Sequence, residues 1–236
     1  MENTFITQKK VWKNFWQEKT DDDLNIKEYH TDLKKIIEDI PDVRRTIEIG
    51  SGTGITSFLL SDEIERTLLD FDRGILEKAE QLFAKYGKKA VFVERDMFDL
   101  NINKRYDVVF NSGVIEHYNV KERTVLLKEY AKIMEEKGWM IIAIPNHYCI
   151  PYKVGYMTLR CLGKWKFPKE YAIKNLSQEL KEAGLTMEKQ LIVSDGVIEN
   201  SIGNRFIRAF YVCCKKIFQI QGYLRVFVIR KQEEYG

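Results

Sequence analysis

Disulfide pairs, metal-ligand spacings and long apolar runs are all missing from this chain of 236 residues. Its four cysteines, Cys149, Cys161, Cys213 and Cys214, include no CxxC pair and share no ligand-like spacing with the three histidines. The sequence therefore implies no metal. Adjacent Cys213 and Cys214 read as reduced thiols, which favours a cytoplasmic setting. The first ten residues, Met1 to Lys10, lack the apolar core of a secretory signal. No run of about 18 apolar residues is present, so no span of a bilayer is expected. Proline is scarce, with single residues at 41, 145, 151 and 168. With no Pro/Gly/Ser linker, repeat or low-complexity tract, one domain over 1–236 is expected.

An excess of one charge is lacking too. The 38 Lys+Arg and 35 Asp+Glu leave a formal charge of +3, which excludes a histone-like polyanion binder. That balance is an average. Residues 147–231 hold 15 basic and 6 acidic side chains, a net of +9, whereas residues 1–146 carry a net of −4. Glu233 and Glu234 supply the remaining −2.

What is present is a 44% hydrophobic chain, enough for a sizeable core. Phe5, Ile6, Val11, Trp12, Phe15 and Trp16 have helical spacing, followed by an acidic break at Asp21–Asp23 and a second helix from about Leu24 to Ile40. Strands are expected at 45–49, 67–70, 90–94, 106–110 and 139–144. Helices are expected between them at 55–60, 75–86 and 123–135. Strands alternating with helices of this length predict an α/β domain with a doubly wound, Rossmann-like and mostly parallel sheet. Past Pro145, residues 146–171 are aromatic and basic without clear period. A helix at 176–183, a strand at 185–193, an amphipathic helix at 202–220 and a strand at 223–230 complete the chain. The 202–220 helix has two readings: a cover over the sheet's edge, or a membrane-surface helix with flanking cations.

The chemistry concentrates in Glu48-Ile49-Gly50-Ser51-Gly52-Thr53-Gly54. A strand leads into a glycine turn that admits a ligand against the backbone, and a helix follows. The spacing is GxGxG, not the GxGxxG of a dinucleotide site, and an acid precedes it by two positions. That acid suits an amino group better than a pyrophosphate.

This segment resembles the first motif, (E/D)xGxGxG, of class I S-adenosylmethionine-dependent methyltransferases, in the small-molecule, methyltransferase type 11-like branch typified by quinone-biosynthesis-like enzymes. Three further elements resemble that family in order: Thr67-Leu-Leu-Asp70-Phe71-Asp72, Asp96-Met97 after the third strand, and Tyr106-Asp-Val-Val-Phe-Asn111-Ser112-Gly-Val-Ile-Glu116-His117. The resemblance covers 43–146 firmly and 172–193 loosely. It implies the class I methyltransferase fold and S-adenosyl-L-methionine as cofactor. It also implies cofactor-binding roles for Glu48, Gly50, Ser51, Gly52 and Thr53, and for Asp70 at the ribose hydroxyls with Phe71 beside it. Asp96 and Met97 would meet the adenine, and Asn111 and Ser112 the methionine end. Asp72 is the alternative to Asp70, and either acid also suits a helix cap. His117 is the candidate catalytic base or a positioning group.

Under the resemblance, residues 1–42 form a helical lid, 43–146 the cofactor core, and 147–236 an acceptor-side insert and sheet edge. Asn-Ser-Gly-Val after the fourth strand is not the (D/N)PP(Y/F) of exocyclic-amine methylation, and Asn146 stands where a cytosine C5 enzyme needs cysteine. A small-molecule or lipid-linked acceptor remains, anionic or amphipathic, with peripheral membrane contact an expectation from the +9 tail. The sequence does not favour nucleic acid as a partner and does not specify an oligomer. Two alternatives stay open: an RNA methyltransferase, suggested by the basic and aromatic 147–231 segment, and a non-catalytic subunit on the same fold.

Overall fold

Alternating apolar strands and amphipathic helices place the chain's core on both faces of one sheet, as a computed structural model describes for residues 2–18, 24–203 and 205–232. Side chains of 2–7, 17 and 18 fall outside the described set. The expectations for Phe5, Ile6, the Asp21–Asp23 break and Glu233–Glu234 therefore lie outside it as well.

Two helices open the chain, α1 (Glu2–Glu18) and α2 (Glu28–Glu38). The α/β alternation follows: β1 (Arg45–Ile49), α3 (Ile55–Leu59), β2 (Glu65–Asp70), α4 (Arg73–Lys85), β3 (Val91–Glu94) and β4 (Tyr106–Ser112). After a single 3₁₀ turn at Ile115–His117 come α5 (Val120–Lys132) and β5 (Met134–Pro145). The remainder is α6 (Ile150–Cys161), α7 (Ser177–Glu182), β6 (Leu185–Val193), α8 (Gly196–Asn200), α9 (Arg205–Phe218) and β7 (Leu224–Lys231).

Among the described residues seven strands pair in the order β3-β2-β1-β4-β5-β7-β6. The first five are mutually parallel, and β7 runs antiparallel to both β5 and β6. The order reverses between β1 and β4, so a crevice opens beyond their carboxyl ends, where open α/β sheets take ligands. This is the expected doubly wound, mostly parallel sheet.

Strand alternation sorts the core. Ile47, Val109, Met140, Ile142 and Phe227 face α5 through Leu126, Leu127 and Tyr130. Val108, Phe110, Ile141 and Val226 face Leu33 and Ile37 of α2. A third cluster packs Leu76, Ala79 and Phe83 of α4 onto Leu68.

Several elements differ from expectation, among them β5, which begins at Met134 and not 139. Helix α2 starts at Glu28, four residues after Leu24, with its first turn closed by the Lys27 N–H donating to His30 Nδ1 at 3.0 Å. Helix α5 stops at Lys132, not 135, because Met134 already pairs with Tyr106 in the sheet. Residues 150–161 are helical although no period announced it: only Tyr156 is buried, so α6 has no core stripe to read. Helix α9 does not cover the sheet's edge. None of its residues is buried, and Phe206, Ile207, Phe210, Ile217 and Phe218 are 59–73% exposed. Among the described residues, no helix is long and apolar enough to cross a membrane.

Candidate active site

Three glycines at alternate positions shape the turn after β1. Gly50, Gly52 and Gly54 have φ of 64°, 53° and 66°, a region that L side chains occupy only under strain. At Gly54 space forbids a side chain as well, since a Cβ there would stand 2.0 Å from Leu68 Cδ2. The turn is locked by the Ser51 N–H donating to Leu69 O at 3.0 Å and the Gly54 N–H donating to Ser51 O at 2.8 Å.

Two buried carboxylates meet this turn. Glu48 Oε2 accepts from Ser57 Oγ at 2.6 Å and from the Ser57 N–H at 3.2 Å. Burial pushes Glu48 up to about 7, against the pull of the Ser57 bonds. Asp70, at the end of β2, accepts from the Gly52 N–H at 3.0 Å on Oδ2 and from the Asp72 N–H at 3.1 Å on Oδ1. Burial raises it to about 6 in spite of those bonds. Asp72 does different work: it caps α4, its Oδ1 accepting from the Gly74 N–H at 2.8 Å. Of the two acids that the sequence left open, Asp72 thus takes the cap, and Asp70 lines the cavity beside the glycine turn.

Glu48, Asp70 and the turn line a cavity of about 540 Å³, within the range that takes a small ligand. Gly50, Ser51, Gly52, Thr53, Phe71, Asp96, Met97 and Ser112 share the same wall. Asp96 is set by the Phe98 N–H donating to its Oδ1 at 2.9 Å, and Lys9 reaches its Oδ2 at 2.9 Å. Ser51 lines the cavity, and its Oγ is buried with no partner among the described residues.

Residues 47–138 match the family described as a methyltransferase domain. That match spans the glycine turn, the acids at or just past the ends of β1 to β3 and the first part of β5, the stretch that builds most of the cavity. No curated protein matches the sequence. Among solved structures it is similar to a SAM-dependent methyltransferase from Archaeoglobus fulgidus, with TM-score 0.63 and 19% identity over 86% of this chain and 93% of that one. It is also similar to the magnesium protoporphyrin IX methyltransferase of Synechocystis PCC 6803 with bound SAH, with TM-score 0.60 and 16% identity over 87% and 82%. The mitomycin 7-O-methyltransferase gives TM-score 0.62 at 17% identity, covering 86% of this chain, which spans 53% of that protein's length. At these identities the likeness is one of fold.

The pocket fits S-adenosylmethionine by chemistry. It offers two carboxylates for amino and hydroxyl donors, a bare glycine backbone, an unpartnered hydroxyl and the Phe71 and Met97 side chains. Helix α1 lies over it. Trp12 and Trp16 line the cavity, and a Cβ on Gly52 would come within 2.8 Å of Trp16 Cζ2.

Two predicted residues stand apart from the wall. Asn111 is fully buried, its Nδ2 donating to Tyr130 Oη at 3.2 Å. Neighbouring side chains on a strand face opposite ways, so Ser112 gets the pocket and Asn111 the core. His117 is buried under Trp12, the ring centroids 5.3 Å apart, and burial lowers its pKa. The aromatics of 147–171 do not line the cavity either; Trp165 and Phe167 pack together, and Phe167 packs at a tilt against Phe15 and Trp12 of α1.

The wall also holds residues that the sequence did not single out: Tyr29 and His30 of α2, Tyr118, and Tyr223 before β7. Nothing local marks Tyr29 or Tyr223, which come together only in the fold with ring centroids 6.0 Å apart. His30 carried no signal either, because the expected helix began at Leu24 and only the observed start at Glu28 puts it in the first turn.

Proposed function

We propose that this protein methylates a small amphipathic acceptor that it meets at an anionic lipid surface. The observation that carries methyl transfer is the meeting of Glu48, Asp70 and the Gly50–Gly54 turn in one cavity at the sheet's switch point. When bound, S-adenosylmethionine supplies an electrophilic methyl group on a sulfonium.

The chain's own residues then have two tasks. Asp70 and Asp96 accept hydrogen bonds from the nucleoside, and Glu48, Ser51 and the glycine backbone hold the amino-acid end. Trp12 and Trp16 exclude water and, with α1 as a lid, hold acceptor and methyl in line. Most of the rate enhancement of a displacement can come from such positioning. His30 and Tyr118 line the cavity, where each can hydrogen-bond an acceptor and orient it.

The lipid-surface part is supported by exposed apolar side chains on two helices. Helix α9 presents Phe210, Ile217 and Phe218 beside Lys216, with Arg208 engaged by Glu199 and Lys215 by Asp195, and α6 presents Ile150, Val154 and Met157. Each cation near an anionic leaflet contributes about 1 kcal/mol. Calorimetry with S-adenosylmethionine tests the first part; absence of binding, or binding that Asp70→Ala leaves unchanged, removes the reading. Co-sedimentation tests the second. Phosphatidylglycerol vesicles should bind the protein, phosphatidylcholine vesicles should not, and Phe210→Glu with Phe218→Glu should abolish binding. Equal behaviour on both vesicles sinks the lipid assignment. Comparing metabolites of a deletion strain with its parent then names the acceptor by the loss of one CH₂.

A further inference from the structure

Behind the pocket wall, three chemistry-bearing side chains converge almost out of reach of solvent. Glu116, His117 and Glu170 are 1%, 4% and 8% exposed, and each offers a ligand atom within 4.8 Å of the others. They come from two segments: the 3₁₀ turn after β4, and the loop between α6 and α7. The Tyr171 N–H, donating to Glu116 O at 2.7 Å, stitches these segments together.

Each side chain is already oriented from behind. His117 Nδ1 lies 3.2 Å from Lys169 O, which only accepts, so Nδ1 carries the proton and Nε2 keeps its lone pair. That lone pair lies on the side of Glu116, with Nε2 3.8 Å from Oε1. Imidazole ligands of metals are held in this way, donating the remote N–H to a carbonyl. Glu170 Oε2 accepts from Tyr152 Oη at 2.7 Å and faces His147 Nε2 at 2.8 Å, an outer layer of the kind that orients ligating carboxylates.

Glu116 Oε2 is the decisive atom. It is buried and has no hydrogen-bond partner. An interior carboxylate oxygen without a partner is costly, and a second carboxylate at the same spot adds repulsion. Among the described residues, neither Glu116 nor Glu170 is paired with a lysine or arginine. The cluster holds donors, tautomer and outer layer, and lacks positive charge.

We propose that Glu116, His117 and Glu170 bind a divalent transition-metal ion, of which zinc is the type. Two carboxylates and an imidazole suit borderline ions such as Zn²⁺ or Co²⁺, and the harder Mn²⁺ less well; Mg²⁺ keeps its waters and prefers oxygen alone. Bonds of about 2.0–2.2 Å place tetrahedral ligands roughly 3.4 Å apart, so the cluster closes slightly around the ion. The ion clamps the turn after β4 to the loop before α7. It sits beside the pocket, not in it: Glu116 Oε1 is 3.7 Å from where a Cβ on pocket residue Gly113 would stand. Its role is therefore to brace the wall that carries Gly113 and Trp12.

The test uses the full chain, dialysed against a chelator, with no cofactor or acceptor present, so its outcome is independent of methyl transfer. Calorimetry with Zn²⁺ should give one ion per chain together with a raised melting temperature. Glu116→Gln and Glu170→Gln should each lower affinity at least about tenfold. Tyr152→Phe, which keeps every ligand and drops one orienting bond, should lower it about tenfold. Co²⁺ should give visible absorption bands that His117→Gln alters. Absence of Zn²⁺ and Mn²⁺ binding to the wild-type chain overturns the proposal. So does binding that survives Glu116→Gln and Tyr152→Phe but is lost on replacing the exposed Cys213 by serine.

Discussion

Lys9 Nζ lies 2.9 Å from Asp96 Oδ2, tying α1 to the loop after β3 across the mouth of the cavity. Both side chains are about one-third exposed, so solvent screens the pair and its effect on stability is under about 1 kcal/mol. Lys9→Met should therefore shift the thermal midpoint by no more than a few degrees. Asp96→Ala should weaken S-adenosylmethionine about tenfold, the worth of one hydrogen bond to a charged group. Equal cofactor affinity in Asp96→Ala and wild type, by calorimetry, would remove Asp96 from the site.

Gly54 and Gly87 share a backbone conformation, with φ of 66° and 65°, but differ in space. A Cβ at Gly54 meets Leu68 at 2.0 Å; at Gly87 nothing lies within 4 Å. Gly87→Ala should cost about 1 kcal/mol, the backbone strain alone. Gly54→Ala should cost at least about 2 kcal/mol more, from overpacking around buried Leu68. Urea unfolding of the two variants separates strain from space; equal losses would show that Leu68 yields freely.

Burial holds Asp70 at about 6 and Glu48 at about 7, both above their unfolded values of 3.8 and 4.5. The folded chain keeps protons that the unfolded chain releases, so this contribution is complete below about pH 4. It is lost as pH rises through 6 and 7. For Asp70 the shift corresponds to roughly 3 kcal/mol. Without cofactor the melting temperature should fall between about pH 4 and pH 7. Cofactor affinity should rise as pH passes through about 6 and 7, because ionised carboxylates accept its donors better. Asp70→Asn should flatten both trends; a profile parallel to wild type would contradict the assignment.

Arg123 on α5 is buried against Glu179 on α7, its Nε donating to Oε1 at 2.9 Å and its Nη1 to Tyr118 O at 2.8 Å. Removing one partner strands the other charge in the interior, at a cost of about 3–5 kcal/mol. Glu179→Met should therefore destabilise strongly, and the double variant Arg123→Met/Glu179→Met should regain most of the loss. Additive losses in chemical unfolding would mean that the pair is not coupled.

The cofactor half was legible because its signals are local. Glu48, Asp70 and Asp96 each stand at or just past a strand's carboxyl end, and chain order alone sets those ends side by side. Parity along a strand was the finer information that a motif match hides: Asn111 and Ser112 are neighbours in sequence and opposites in space. His117 looked catalytic because its motif follows a pocket strand, but the 3₁₀ turn rotates it inward to the Lys169 carbonyl. Helix α6 was unreadable by period, since its apolar side chains face outward and bury no stripe. Glu170 gave no metal signal, because its partners lie some fifty residues earlier and only the loop before α7 returns it to them.

Strand β7 pairs with β5 on one side and β6 on the other, yet follows both in the chain. During synthesis β6 therefore leaves the ribosome with no neighbour to join, and the outer edge of β5 waits open beside it. Buried Arg225 closes the gap, its Nη2 donating to Asn146 Oδ1 at 3.1 Å where the chain departs from β5. A premature stop or a proteolytic cut before Leu224 would not trim an edge. It would free two strands at once and expose a long apolar ribbon to other nascent chains. The quality of this protein in the cell thus hinges on Leu224–Lys231 being made and kept.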